Sequence, residues 1–172
     1  MALNDIVPFD DGTYMPGAKR YIVKGSNGRS NAINAGELVR KQALGAYFAT
    51  SWSPGLAALA TRPAVGTDYI YGLATSTSTE TTSLDGTVDV MPITTGLTFL
   101  ISPLVAASWD TQAKYDALVG ARVLINYAAT TGKMTVIASD SAANGLVVEP
   151  LDITKHPGKV RVSVRRALMY NF

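Results

Sequence analysis

Three short strand-like runs constrain this chain more than anything else in it: Asp68–Ala74, Gly86–Met91 and Leu97–Ile101. Each is rich in β-branched, aromatic or aliphatic residues, and each is closed by Gly, Pro or hydroxyl residues. The middle run belongs to the stretch Asp85-Gly86-Thr87-Val88-Asp89-Val90-Met91-Pro92. Runs this short cannot hold isolated helices together, whereas half-buried strands need only a few residues. They predict a mainly β chain, a small β-barrel or β-sandwich, with no obvious place for a catalytic cleft.

The rest of the sequence reads in the same vocabulary. Arg20–Lys24 predicts a first strand, stopped by the turn residues Gly25-Ser26-Asn27-Gly28. Gly36–Arg40 and Ala43–Ala49 are further strand candidates, and Thr50–Val65 reads as a long connection with one helical turn at Leu56–Ala60. The tract Thr75–Ser83 is almost all Ser and Thr. It fits an exposed flexible loop or an extended edge strand, and the loop is the expectation because nothing in it is apolar enough for a core. Asp110–Gly120 predicts a short helix, with Asp110 or Thr111 as cap and Gly120 as its left-handed stop. Arg122–Tyr127 and Lys133–Ala138 flank Thr130-Thr131-Gly132 as a hairpin, and Asn144-Gly145 turns the chain into Leu146–Glu149. At the end, Val160, Val162 and Val164 alternate with Lys159, Arg161, Ser163 and Arg165, a period of two that puts the valines on one face. Leu168, Tyr170 and Phe172 keep that parity while Arg166 breaks it, a conflict that a bulge near Arg165-Arg166 or a strand change there would resolve.

Two units follow. Residues 1–18 hold Pro8, Asp10-Asp11-Gly12 and Pro16-Gly17, a density of helix and ladder breakers that predicts an extended N-terminal arm. Residues 19–172 form one β-rich domain of a size that supports a real core.

Composition removes several function classes. With no cysteine and one histidine among 172 residues, disulfides, thiolate metal sites and a multi-histidine zinc site are out of reach. No metal and no cofactor are expected. No apolar run approaches the roughly 18 residues that cross a bilayer, and Met1–Asp5 lacks the basic start of a secretory signal. The expectation is a protein made in a cytoplasm, without membrane contact. Phosphate-loop and serine-elbow patterns are missing, since Gly25–Ser30 has neither the spacing nor the lysine of a phosphate loop. His156, within Lys155-His156-Pro157-Gly158, reads as a solvated turn histidine. Asp85 and Asp89 share a strand face and can in principle hold a cation, yet no third ligand is in view. Catalytic residues are therefore not expected, nor an enzyme.

Charge is sparse and uneven. Only 16% of residues are charged and the net charge is +2, against about a quarter charged in ordinary soluble domains. Such a surface suits contact with other protein surfaces, and equally an ordinary domain with a neutral exterior. From Lys155 onward there are five bases and no acid: Lys155, Lys159, Arg161, Arg165 and Arg166. This end is either a solvated face or a docking face for an acidic protein surface. Nucleic acid is not expected as a partner, because aromatic stacking platforms do not interleave with the bases.

The order of six pieces is distinctive: Gly36-Glu37-Leu38-Val39, Gly72-Leu73-Ala74, Asp85–Pro92, Leu97–Ile101, Leu118-Val119-Gly120 and Lys159–Val164. In that order, over about residues 36 to 165, the chain resembles the capsid decoration (cement, or head-stabilisation) proteins of tailed bacteriophages. The resemblance implies a structural virion protein on the exterior of the capsid, synthesised in the host cytoplasm. It would bridge subunits of the major capsid protein, often as a trimer, and do no chemistry. Exposure and charge then nominate Ile6, Phe9 and Tyr14 on the arm and Arg161, Arg165 and Arg166 at the basic end as partner contacts. The rival expectation is a carbohydrate-binding β-sandwich of a phage fibre or similar adhesion module, with Trp52 and Trp109 stacking on sugar rings.

Overall fold

The computed structural model describes residues 6–9, 17–23, 33–41, 49–51, 70–79, 81, 83–84, 86–94, 96–128, 133–138 and 145–164. Among them the chain is mainly β and builds two antiparallel sheets. The first has six strands, ordered β1 (Val7–Phe9), β7 (Thr98–Ile101), β11 (Val160–Val164), β10 (Leu146–Val148), β8 (Arg122–Ala128) and β9 (Lys133–Ile137). The second has five, ordered β2 (Lys19–Val23), β6 (Gly86–Pro92), β5 (Ile70–Ala74), β3 (Leu38–Lys41) and β4 (Ala49–Ser51). The alternative between barrel and sandwich resolves to two sheets sharing a core, with no closed barrel among the described residues.

The first sheet nevertheless curls. An isolated parallel bridge joins Pro103, just past β7, to Val136 on β9, with Leu104 N–H donating to the Val136 carbonyl at 2.8 Å and Val136 N–H to that of Ser102 at 3.0 Å. Pro103 can sit there because its missing N–H falls outside these two bonds. Curling gathers the inward valines of β11 with Phe99, Ile101, Val123, Ile125, Met134 and Val136 into the main core. The period of two read in β11 is realised: Val160, Val162 and Val164 are buried, while Arg161 and Ser163 are half-buried.

Three strands of the second sheet, β3, β5 and β6, bury side chains on both faces. Leu38, Leu73 and Met91 join the main core, whereas Val39, Ala74, Val88 and Val90 close on a smaller one with Ile33 and Tyr21. Adjacent residues of a strand point to opposite faces, so Leu38-Val39, Leu73-Ala74 and Val90-Met91 each serve both cores.

The described residues of the hydroxyl tract lie outside any strand and are mostly exposed, as the loop expectation has it, but hydrogen bonds tie the tract down and bury Ser78. Thr75 N–H donates to the Asp89 carbonyl and Thr79 N–H to that of Thr87, while Ser78 N–H bonds Ile33 on the other side. The side chains do the same: Ser76 Oγ accepts from Asp89 N–H at 2.9 Å, Thr79 Oγ1 from Thr87 N–H at 3.0 Å, and Ser78 Oγ from Ile33 N–H at 2.8 Å. Short hydroxyl side chains here take the place of ladder partners. An apolar residue is not needed to bury this tract, because Ser78 is buried through polar bonds instead. Ser78→Ala is expected to lower stability by about 1–2 kcal/mol, since a buried N–H loses its acceptor. Denaturant unfolding reads this directly, and an unchanged midpoint would contradict it.

The helix is shorter than its pattern. It spans Gln112–Asp116 (α1), after a 3₁₀ turn at Ala106–Ser108. Thr111 is the cap, its Oγ1 accepting from Lys114 N–H at 3.3 Å. Gly120 has φ of 83°, the left-handed geometry expected of it, and its N–H is taken by the Val148 carbonyl at 2.9 Å. The six pieces singled out in the sequence thus fall on β3, β5, β6, β7, the exit of α1 and β11.

Candidate functional site

A cleft of about 700 Å³ opens where β1, α1, the segment 150–156 and β11 meet. Its floor is apolar, from Phe9, Pro150 and Leu151. Phe9 is there because β1 lies on the free side of β7, in the register Val7↔Leu100, Pro8↔Phe99 and Phe9↔Thr98. β11 lies on the opposite side of β7, pairing Arg161 with Leu100. Two strands from opposite ends of the chain therefore bring Phe9 and Arg161 to one place. The Arg161 guanidinium carbon lies 4.4 Å from the centre of the Phe9 ring, a cation–π contact. Its Nε donates to Thr98 Oγ1 at 3.0 Å, and His156 packs edge-on against the same ring at 5.3 Å.

Two of the six nominated contact residues are thereby united, in contact with each other. Ile6 is 3% exposed and lies in the main core, so it presents no surface to a partner. The segment 6–9, part of the extended arm of the sequence reading, forms an edge strand against β7, with Ile6 in the main core and Phe9 packed against it. Tyr14, Arg165 and Arg166 lie outside the described residues, as does the bulge or strand change expected near Arg165-Arg166.

The polar wall was not legible in advance. Gln112 on α1 is fixed at three points: Nε2 donates to Asp116 Oδ1 at 2.7 Å and to the Leu151 carbonyl at 2.9 Å, and Oε1 accepts from Ile153 N–H at 3.2 Å. Asp152 Oδ1 accepts from both N–H and Oγ1 of Thr154, at 3.0 and 2.6 Å. Those bonds, with the charge of Lys155 (Nζ 3.5 Å from Oδ2), hold the Asp152 carboxyl below its usual pKa. The spacing of Gln112 and Asp116 marks one helix face, but nothing in the sequence ties that face to residues some forty positions later.

Behind the wall Tyr115 is fully buried and clamps helix to sheet. Its hydroxyl donates to the Glu149 carbonyl at 2.8 Å and accepts from Arg161 N–H at 3.0 Å. Trp109 packs edge-on against it at 5.7 Å and is itself only 5% exposed. Trp109 is therefore not the exposed sugar platform that the carbohydrate reading required, and Trp52 lies outside the described residues.

The carboxylate pair considered in the sequence also has another use. Asp89 forms a two-point ion pair with Arg20 across β2 and β6, Nε–Oδ1 at 2.9 Å and Nη2–Oδ2 at 3.2 Å. The hydrogen bond from Arg20 holds the Asp89 carboxyl below its ordinary pKa. Asp85 lies outside the described residues. No cluster of three or more potential metal ligands occurs among the described residues, and none of their helices is long and apolar enough to cross a membrane.

No family model, curated protein or solved structure matches this chain.

Proposed function

We propose that this chain is a structural virion protein, one that binds the outside of an assembled phage capsid and stabilises it by bridging subunits of the major capsid protein. The observation that carries this reading is the order of the six sequence pieces from Gly36 to Val164, which follows the decoration-protein pattern. A mainly β domain with a sparsely charged surface is compatible with it. A cement of this kind acts by mass action: it binds the assembled lattice and not the free subunit, so the lattice gains stability. The role asks for extended contact and no reactive group. It also allows self-association on the lattice, with a trimer as the form implied by the resemblance.

The test is co-sedimentation of the purified protein with expanded capsids assembled from the capsid protein of the same source. Saturable binding with a raised capsid melting temperature is expected. A folded protein that stays in the supernatant at every concentration would sink the proposal.

A further inference from the structure

The cleft beside Phe9 has a composition that the cement role does not use. We propose that it is a binding site for a neutral polyhydroxyl ligand, that is, an uncharged saccharide. This goes beyond the structural role and does not depend on it.

Charge balance gives the first argument. Among the described residues that line the opening, Asp116 and Asp152 stand with Lys155 and Arg161, two acids with two bases. An anionic ligand meets two carboxylates there and a cationic one meets two bases. Neither gains the net attraction that makes a charged site selective.

The second argument is the hydrogen-bonding capacity left at the rim. Asp116 uses Oδ1 for Gln112, and its Oδ2 takes no bond among the described residues. The His156 ring makes an aromatic contact with Phe9 and no hydrogen bond among the described residues. Thr154 Oγ1 donates to Asp152 and keeps its acceptor lone pairs. The rim therefore offers acceptors and donors side by side. A hydroxyl both donates and accepts, and a ligand carrying many of them satisfies such a mixture without importing charge.

The third argument is preparation. Gln112, Asp152 and Thr154 are held by bonds within the protein, so ordering them on binding costs little. Of the apolar lining, Pro150 is exposed and can receive the C–H face of a sugar ring, while the Phe9 ring is covered by Arg161. At about 700 Å³ the cleft lies within the ~300–1,000 Å³ range of small-molecule sites. Because it is open, affinity in the millimolar to high-micromolar range is expected.

The experiment is titration calorimetry of the full chain with a panel of neutral mono- and oligosaccharides, and with sialylated and sulfated glycans in parallel. The expected result is saturable binding of a neutral saccharide, weakened about ten-fold or more by Asp116→Ala and by His156→Ala. Both residues sit at the rim, so thermal melting and intrinsic tryptophan fluorescence should stay at the wild-type values. Three results would overturn the proposal: no neutral saccharide binding up to roughly 10 mM, binding that both variants leave intact, or binding of anionic glycans only. If either variant melts early, Thr154→Val and Lys155→Ala replace it under the same criteria. Capsid co-sedimentation of the same variants separates the two roles, since loss of saccharide binding with capsid binding kept touches this inference alone.

Discussion

Replacing Gly72 with alanine is expected to destabilise the protein by more than about 3 kcal/mol, beyond the usual range for an overpacked core. Gly72 lies in β5, opposite Pro92 of β6, and it is buried. A Cβ built there would stand 2.4 Å from the Met91 carbonyl oxygen and 2.5 Å from Val90 Cγ1. The oxygen belongs to the backbone of a neighbouring strand and cannot swing aside, so relief requires parting β5 from β6. Those strands carry both the main core, through Leu73 and Met91, and the smaller one, through Ala74, Val88 and Val90. Glycine in a strand interior often marks such a close backbone approach. Gly17→Ala is the control, because nothing lies within 4 Å of a Cβ added there. Urea unfolding of the two variants should give a large loss at position 72 and a near-neutral result at position 17. A loss below about 1 kcal/mol at position 72 would mean that the sheet yields more easily than this packing allows.

How much of this was visible in the sequence depends on the range of each interaction. The valine alternation of β11, the β8–β9 hairpin and the Thr111 cap with its Gly120 stop are local patterns, and local patterns survive folding. The anchoring of the hydroxyl tract was not legible because its partners are remote: Ser78 bonds Ile33, forty-five positions away. The consecutive apolar pairs Leu38-Val39 and Leu73-Ala74 are compatible with burial on both faces, but they do not say which remote residues cover each face. Glu37 is the sharpest case. It is fully buried, with Oε1 accepting from Asn34 Nδ2 at 3.0 Å, and a carboxylate is the last side chain a sequence reading sends inside.

The site follows the same rule. Phe9 and Arg161 could each be nominated from exposure and charge, but their union depends on β1 and β11 flanking the same strand. Strand order is a non-local choice, fixed by which apolar faces close the core, and it leaves no trace in the local pattern of either strand. Trp109 shows the opposite error. An aromatic residue in a polar stretch reads as a surface platform, yet its ring is covered and packs edge-on against the buried Tyr115.

That burial is measurable. Tyr115→Phe is expected to lower stability by about 2–3 kcal/mol, because the Glu149 carbonyl loses its donor and Arg161 N–H its acceptor in the same step. The ring volume is kept, so the loss isolates the two hydrogen bonds that pin α1 to β11 and to Glu149, just past β10. Alkaline pH gives an independent reading of the same group. Burial pushes the Tyr115 hydroxyl up to about 12 from an ordinary value of 10.0. A raised pKa means that the fold holds the proton more tightly than the unfolded chain does. The stabilising contribution is complete below pH 10 and is lost as pH rises from about 10 towards 12. A displacement of this size corresponds to roughly 2–3 kcal/mol. Lysines and other tyrosines titrate in the same window, so the informative quantity is the wild-type stability minus that of Tyr115→Phe. That difference should be flat from neutral pH to about 10 and shrink steeply above it. A difference that stays constant through pH 12 would show that the hydroxyl ionises no more easily in the unfolded chain than in the fold, and the clamp would then have to be sought in packing alone.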